Sequence, residues 1–451
     1  MNKLLIYIVS LLLCNNLFAQ LPDHNTYLIA NIDNYESYSA LWGYTDGNGR
    51  EYAILGCFAG TSFVDITDSS NVVEVDYVPG VGSNWREIKT YSHYAYVVSE
   101  GTGSRLQIID LQYLPDSVSL ITTWGYSGYS FTHAISQSGP YLYLSGGNAS
   151  PNGGVQVIDV TNPILPVKRG NNTLRYTHDC RVRDDTVWAT NINNQKVTIL
   201  NALNKDSIRE IRNFTTIQQM PHNCALSDDR RFIFVTHENM NPGTIDIYDI
   251  QNLDNITFVR SWQPTGIFTS PVHNVEVYGN LLFAAHYTAG VRIIDISNPA
   301  DPVEIAWYDT RPQDNSNNYL GCWAVYKFQS GKIIASDITN GLFVFKMTIP
   351  TNISNLSHQP EKLSLFQNYP NPFNPETNIE FDLTESGFVK LSVYDNSGKL
   401  IKVLVNSFKN KGLHNYKFNA STNGRELSSG IFYCKIEFEG KSKIIKMALL
   451  K

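Results

Sequence analysis

The chain has 451 residues, of which 17% are charged and 12% aromatic, with a formal net charge of -6. That length implies two or three domains, and the mild acidity excludes a general affinity for nucleic acid or anionic membranes. Tyr and Phe number 26 and 21 against 5 Met, a balance suited to strands rather than helices.

The first stretch, MNKLLIYIVSLLLCNNLFAQ, is expected to be a signal peptide covering residues 1–19. Lys3 supplies the basic region, Leu4 to Leu13 the apolar core, and Leu17-Phe18-Ala19 a cleavage tripeptide. The apolar run is too short to span a membrane as a mature helix. Cys14 follows Leu13 rather than a small residue, which argues against a lipid-anchored start. Five cysteines follow: Cys57, Cys180, Cys224, Cys322 and Cys434. Their odd number and wide spacing fit neither a disulfide framework nor a zinc knuckle, so they are expected to be small buried hydrophobes.

Residues 20–350 repeat one unit. It is clearest at GVRIIDISNPADPVEIAWYDT, residues 290–310: a β-branched run ending in Asp295, a proline turn, then an alternating run. The same grammar returns around Asp65, Asp110, Asp159, Asn201 and Asp249. The spacings from Asp65 to Asp295 are 45, 49, 42, 48 and 46 residues. Two more strands fit between successive anchors, so each unit is a four-stranded meander, and a period in the forties marks β-propeller blades. Seven first strands are expected, near Trp42, Arg86, His133, His178, His222, His273 and Trp323. The last blade lacks a fourth strand of its own, because Ile349-Pro350 leads into a polar linker over 351–362. Asn25 to Ala30 is a strand without a blade and is expected to close the last one, since an open ring leaves an edge unpaired. The fold class is therefore all-β: a seven-bladed propeller followed, over 363–451, by a small Ig-like β-sandwich of short alternating strands.

The final segment carries Asn368-Tyr369-Pro370-Asn371-Pro372-Phe373-Asn374-Pro375, Val393-Tyr394-Asp395 with Gly398-Lys399, Ser429-Gly430-Ile431-Phe432-Tyr433, and a terminal Lys446-Met447-Ala448-Leu449-Leu450-Lys451. In these residues it resembles the type A sorting domain of the type IX secretion system of Bacteroidetes. The resemblance implies Sec export, passage through the outer-membrane translocon and removal of the domain by its peptidase. The mature protein would then be secreted or displayed on the cell surface. The propeller resembles the LVIVD-repeat proteins of the choice-of-anchor B family, on Gln107-Ile108-Ile109-Asp110, Gln156-Val157-Ile158-Asp159 and Arg292-Ile293-Ile294-Asp295, with Asn162-Pro163 and Asn298-Pro299 behind. That resemblance implies a propeller without a settled biochemical activity.

Six of the ten histidines fall at two strand positions. His133, His178, His222 and His273 begin first strands, and His237 and His286 end second strands. Antiparallel neighbours put both positions at one mouth of the central channel, together with Glu87, Asp179, Glu100, Glu238 and Asp337. Arg86, Trp42 and Trp323 are expected at the corresponding places in the other blades. Imidazole and carboxylate in a funnel can hold a divalent metal or perform acid–base chemistry. The same pattern has a structural reading, in which each residue only bonds the next blade's backbone. No Gly-x-Ser-x-Gly elbow, Walker loop or His-Glu-x-x-His motif is present. The leading expectation is a module that binds a glycan, peptide or protein at this mouth. A metal-dependent hydrolase is the rival, and a purely structural surface module the third reading.

Overall fold

The computed structural model describes residues 22–450 apart from 239–242, 268, 315, 349–362, 369, 397, 423–424 and 440. The expected leader (1–19), the linker (351–362), Tyr369 and Lys451 lie outside the described residues. Contacts divide the chain into two units, Met1–Thr348 and Ile349–Lys451.

The described part of the first unit forms seven antiparallel sheets, six of four strands and one extended to five. The first strands are Tyr38–Thr45, Arg86–Tyr91, Ala134–Ser138, Asp179–Arg183, Pro221–Leu226, Val275–Tyr278 and Cys322–Lys327. Each touches the next in this order, and Cys322–Lys327 touches Tyr38–Thr45, so the sheets close into a ring about a central channel. This is a β-propeller. Second and third strands such as Glu51–Cys57 and Gly60–Asp65 are buried along their whole length, because neighbouring blades cover both faces. Fourth strands such as Arg209–Thr215 are largely exposed. The apolar layers run from blade to blade: Tyr52, Ile54 and Phe63 of one share a cluster with Ile88, Val97 and Ile109 of the next. Each such side chain contributes about 1.5–3 kcal/mol on burial. All five described cysteines are free and buried, as small hydrophobes.

The repeat anchors share one task. Asp65 Oδ1 accepts the backbone N–H of Thr67 at 2.8 Å, and the same bond recurs from Gln112 to Asp110, Thr161 to Asp159, Gln251 to Asp249 and Ser297 to Asp295. Asn201 does it too, accepting from Leu203 at 2.9 Å. An amide oxygen serves as well as a carboxylate for an Asx turn, which is why the degraded repeat still folds as one.

Thr26–Ile32 pairs antiparallel with Gly341–Met347, from Thr26 opposite Met347 to Ile32 opposite Leu342. Thr26–Ile32 thus completes the last blade. Gly341 is required here. Its φ is +82°, and a Cβ would stand 2.1 Å from the Ile32 carbonyl oxygen. One detail was not legible in the pattern: Asp23–His24 adds a fifth strand to the preceding blade, against Trp307 and Tyr308.

The second unit packs a three-stranded sheet on a four-stranded one. Ile379, Phe381 and Phe418 of the first share a core with Val389, Leu391, Val393, Cys434 and Ile436 of the second, giving a β-sandwich. The sorting motif is built into it. Phe373 is 1% exposed, and its N–H donates to the Ala448 carbonyl at 2.8 Å. Asn371 Oδ1 accepts from the Ala448 N–H at 2.7 Å. Pro370 and Pro372 flank that asparagine, with the Pro370 carbonyl accepting from Thr377 and Asn368. Gly398 turns the chain at φ +80° just ahead of Lys399, and Gly430 and Lys446 lie on the two paired C-terminal strands.

Removing residues 22–32 leaves the backbone edge of Gly341–Met347 unpaired. The expected result is a melting temperature lower by more than about 5 °C, since ~2 kcal/mol already moves the midpoint of a domain this size by several degrees. Unchanged thermal unfolding would show that the ring does not depend on this strand.

Candidate functional site

The ring sets the geometry of the mouth. His133, His178 and His273 stand just ahead of their first strands, and His222 is the second residue of Pro221–Leu226. Because consecutive first strands are neighbours, equivalent side chains touch. The ring centroids of His133 and His178 are 4.1 Å apart, those of His178 and His222 4.4 Å, and those of His222 and His273 4.3 Å. Trp323 continues the series at 4.3 Å from His273. The four imidazoles form one contiguous arc, and the arc walls a cavity of about 580 Å³. Glu100 and Glu238 line the same cavity, with Tyr38, Trp85, Tyr176, Tyr287 and Tyr319.

The four histidines are not equivalent electrostatically. Burial pushes the His178 imidazole well below its usual range, and the neighbouring imidazoles add to the effect. His273 is pushed well below for the same reasons, and its Nδ1 pairs with the Trp323 carbonyl at 2.7 Å. His222 is lowered by burial, against the pull of Glu238. Its Nε2 lies 3.7 Å from Glu238 Oε2. Burial opposes charge on His133 as well, but the 2.7 Å contact from its Nδ1 to Glu100 and the charges of Glu100, Asp179 and Glu87 outweigh it and raise the group. The arc therefore places one easily charged imidazole at its end and neutral ones along it.

The residue after each histidine does different work. Asp179 accepts a hydrogen bond from the Asn223 amide of the next blade at 2.5 Å, and Asn223 Oδ1 accepts from the Val275 N–H of the blade after that at 3.2 Å. Glu87, which follows Arg86, accepts from the Ile135 N–H of its neighbour at 2.8 Å. The blade-to-blade linkage expected as the structural alternative thus falls on the second residue in these pairs, and on the histidine itself at His133 and His273. Among the described residues, His178 Nδ1 has no hydrogen-bond partner.

Several expected members of the mouth stand elsewhere. His237 is fully buried and bonded into its own blade, with Nε2 3.1 Å from Asp246 Oδ2 and Nδ1 3.0 Å from the Gln219 carbonyl. His286 is 1% exposed, and its Nδ1 lies 3.3 Å from Ser270 Oγ. Asp337 closes the turn behind its strand, accepting from the Thr339 and Asn340 N–H groups and from Thr310 Oγ1. Glu87 and Asp179 belong to a deeper part of the channel, with Lys89, Arg181 and Glu276. There Arg181 pairs with Glu276 at 2.8 Å and Lys89 with Glu87 at 3.3 Å. Trp42 also lies deeper, beneath the Lys89 ammonium, because its strand starts four residues earlier at Tyr38. Tyr38 is the residue of that blade on the cavity. Arg86 is buried and donates to the carbonyls of Cys57 and Val81.

The aromatic wall was missed in the sequence. Tyr287 directly follows His286, and its hydroxyl donates to Glu238 Oε1 at 2.5 Å. The Tyr319 hydroxyl donates to the Glu238 carbonyl at 3.2 Å. Trp85 and Tyr176 sit one and two residues ahead of Arg86 and His178, so an aromatic residue on the approach to a first strand was the available signal.

Residues 271–310 match the LVIVD repeat model, and residues 367–449 match the model of the secretion system C-terminal sorting domain. The chain is a β-propeller protein that carries an LVIVD repeat and ends in a sorting domain. That domain marks it for export by type IX secretion to the cell surface or the extracellular space. No described helix is long and apolar enough to cross a membrane. No curated protein matches the chain. Among solved structures, it is similar to a functionally unknown protein from Desulfotomaculum acetoxidans DSM 771, at 13% identity over 79% of this chain and 96% of that one, with a TM-score of 0.48.

The buried neutral histidines make the fold acid-sensitive. His286 shows the sign: burial and the charge of Arg292 push it down from 6.5 to about 3. The unfolded chain takes up this proton first. Its contribution is present in full above pH 6.5 and is lost progressively as the pH falls toward 3. The melting temperature should drop between pH 7.5 and 5, and less steeply in a His286→Gln variant. Equal slopes in parent and variant would show that His286 titrates normally in the folded protein.

Proposed function

We propose that the protein is an exported binding module that holds an extracellular ligand in the cavity at the histidine-lined mouth. One observation carries this reading: a contiguous arc of four imidazoles and Trp323 walls a cavity of about 580 Å³ that also presents two carboxylates and several tyrosines. That volume lies in the range of small-ligand sites. Flat aromatic faces beside hydrogen-bonding groups suit a sugar unit or a short peptide segment of a larger glycan or protein partner. A purely structural role accounts for Asp179 and Asn223, whose bonds tie the blades, and for His273, whose Nδ1 pairs with the Trp323 carbonyl of the next blade, but it leaves His178 Nδ1 without a partner among the described residues.

A metal-dependent hydrolase is the second reading. It is favoured by donor atoms of His178, His222 and Glu238 that all lie within 4.8 Å of one another.

The export route completes the proposal. Residues 1–19 act as the Sec leader, 20–350 are the delivered propeller and 363–451 are handled by the type IX translocon of a Bacteroidetes cell. The sorting-domain peptidase then removes the tail, and the propeller belongs with the choice-of-anchor B proteins, whose C-terminal anchors vary. Deleting residues 363–451 should hold the protein in the periplasm, and arrival of the truncated chain at the surface would overturn this route.

The binding claim is tested by fluorescence. Trp85 and Trp323 line the cavity, so a panel of mono- and disaccharides and short peptides should contain a member that changes tryptophan emission saturably. A Trp85→Ala variant should lose affinity by at least about 10-fold, the equivalent of 1.4 kcal/mol. A panel without any saturable response, or a variant that binds as the parent does, contradicts the reading.

A further inference from the structure

We infer that His178, His222 and Glu238 form a binding site for a divalent transition-metal ion of the zinc class, with a coordination position open to the cavity. Each offers one donor atom, and the three atoms lie within 4.8 Å of one another. His222 Nε2 and Glu238 Oε2 are already 3.7 Å apart. Two donors on one tetrahedral zinc ion are about 3.3 Å apart, so small side-chain rotations close the set around an ion.

The surroundings fit a metal better than a mere hydrogen-bond cluster. His178 Nδ1 is buried and makes no hydrogen bond among the described residues. An unpartnered imidazole nitrogen is costly to bury, and in the tautomer that leaves it a lone pair a cation would satisfy it. Glu238 is oriented from behind. The Tyr287 hydroxyl holds Oε1 and the Tyr319 hydroxyl holds the main-chain carbonyl, leaving Oε2 toward His222. Hydrogen bonds of this kind fix metal-ligating carboxylates elsewhere. His133 and His273 flank the two ligand imidazoles, with ring centroids 4.1 and 4.3 Å away.

The donor types choose the ion. Two imidazole nitrogens and one carboxylate suit zinc, cobalt or nickel, whereas calcium and magnesium need a shell of oxygens. Three protein ligands leave a fourth place on a four-coordinate ion, and all three residues line the cavity, so that place faces it. Water or an oxygen of the cavity's ligand would fill it. The site deepens the binding reading and rests on it for access to solvent. Its test is separate, because metal is measured with no organic ligand present.

The experiment uses the full chain, stripped with a chelator and titrated by calorimetry with Zn²⁺ alone. The expected result is one equivalent bound with a micromolar or tighter constant. Glu238→Gln, which keeps the shape of the side chain, should weaken it at least about 100-fold, and His222→Ala should do the same. His414→Ala, in the second unit, should leave it unchanged. Co²⁺ in place of Zn²⁺ should give the visible spectrum of a low-coordinate ion, lost in Glu238→Gln. Circular dichroism checks that each variant is folded, and Glu238→Gln carries the test if His222→Ala is not. Absence of a stoichiometric Zn²⁺ site in the parent, or parental affinity in folded Glu238→Gln, overturns the assignment. Zn²⁺ binding without any sugar or peptide ligand would sink the organic-ligand reading and leave the metal site standing.

Discussion

The ladder between Thr26–Ile32 and Gly341–Met347 is the constraint on which the rest depends. A set of stacked sheets has two ends, and each end exposes apolar face and unpaired backbone. Joining a strand from the start of the fold to the third strand of the last blade removes both ends at once. Closure also fixes the spacing of the first strands around the axis. Each is held between two neighbours, so side chains at one level around the channel meet at contact distance. The imidazole arc is a direct consequence of that spacing, because four consecutive blades carry histidine at one level.

On two of the first strands adjacent residues divide the labour. Successive side chains on a strand point to opposite sides. In the pairs His178-Asp179 and His222-Asn223 the second residue reaches the neighbouring blade through Asp179–Asn223 and Asn223–Val275 bonds. The first turns to the mouth. The backbone carbonyls of these histidines are used as well: Ser145 Oγ donates to His178 and Thr190 Oγ1 to His222. The arc is thus held by its main chain, and the rings of His178 and His222 are spared most structural bonding. A buried polar network is stable only when its members are satisfied. The blade links are satisfied, whereas Nδ1 of His178 and of His222 are buried without a partner, in residues that line the cavity.

Much of this was legible in the sequence. The Asp anchors at intervals of 42 to 49 residues gave the repeat, and the Asx turn explains why Asp or Asn must stand there. The orphan strand at the start pointed to closure because an unpaired edge is unfavourable. The arc residues followed from strand phase alone. Phase fixes a residue's level along the blade but not the side to which it turns at the strand's end. That is why His237 and His286 were grouped with the mouth although one bonds Asp246 and the other lies beside Ser270. Trp42 was misplaced because its blade has no histidine to mark the level, and its first strand begins at Tyr38. Tyr287 and Tyr319 come from loops, whose paths have no periodicity to read. The sorting motif, by contrast, was legible residue by residue, since Phe373 and Asn371 are locked to the last strand through Ala448.

The central claim is that ring closure forces four imidazoles into one contiguous arc with a single charged end. It is tested most directly by following the histidine ring resonances of the full chain by NMR as the pH is lowered from 8 to 5. The account predicts that His133, held by Glu100, titrates above 6.5, while His178 and His273 stay neutral throughout. If all four titrate independently near 6.5, as exposed histidines do, the arc does not exist in solution and the site built on it falls.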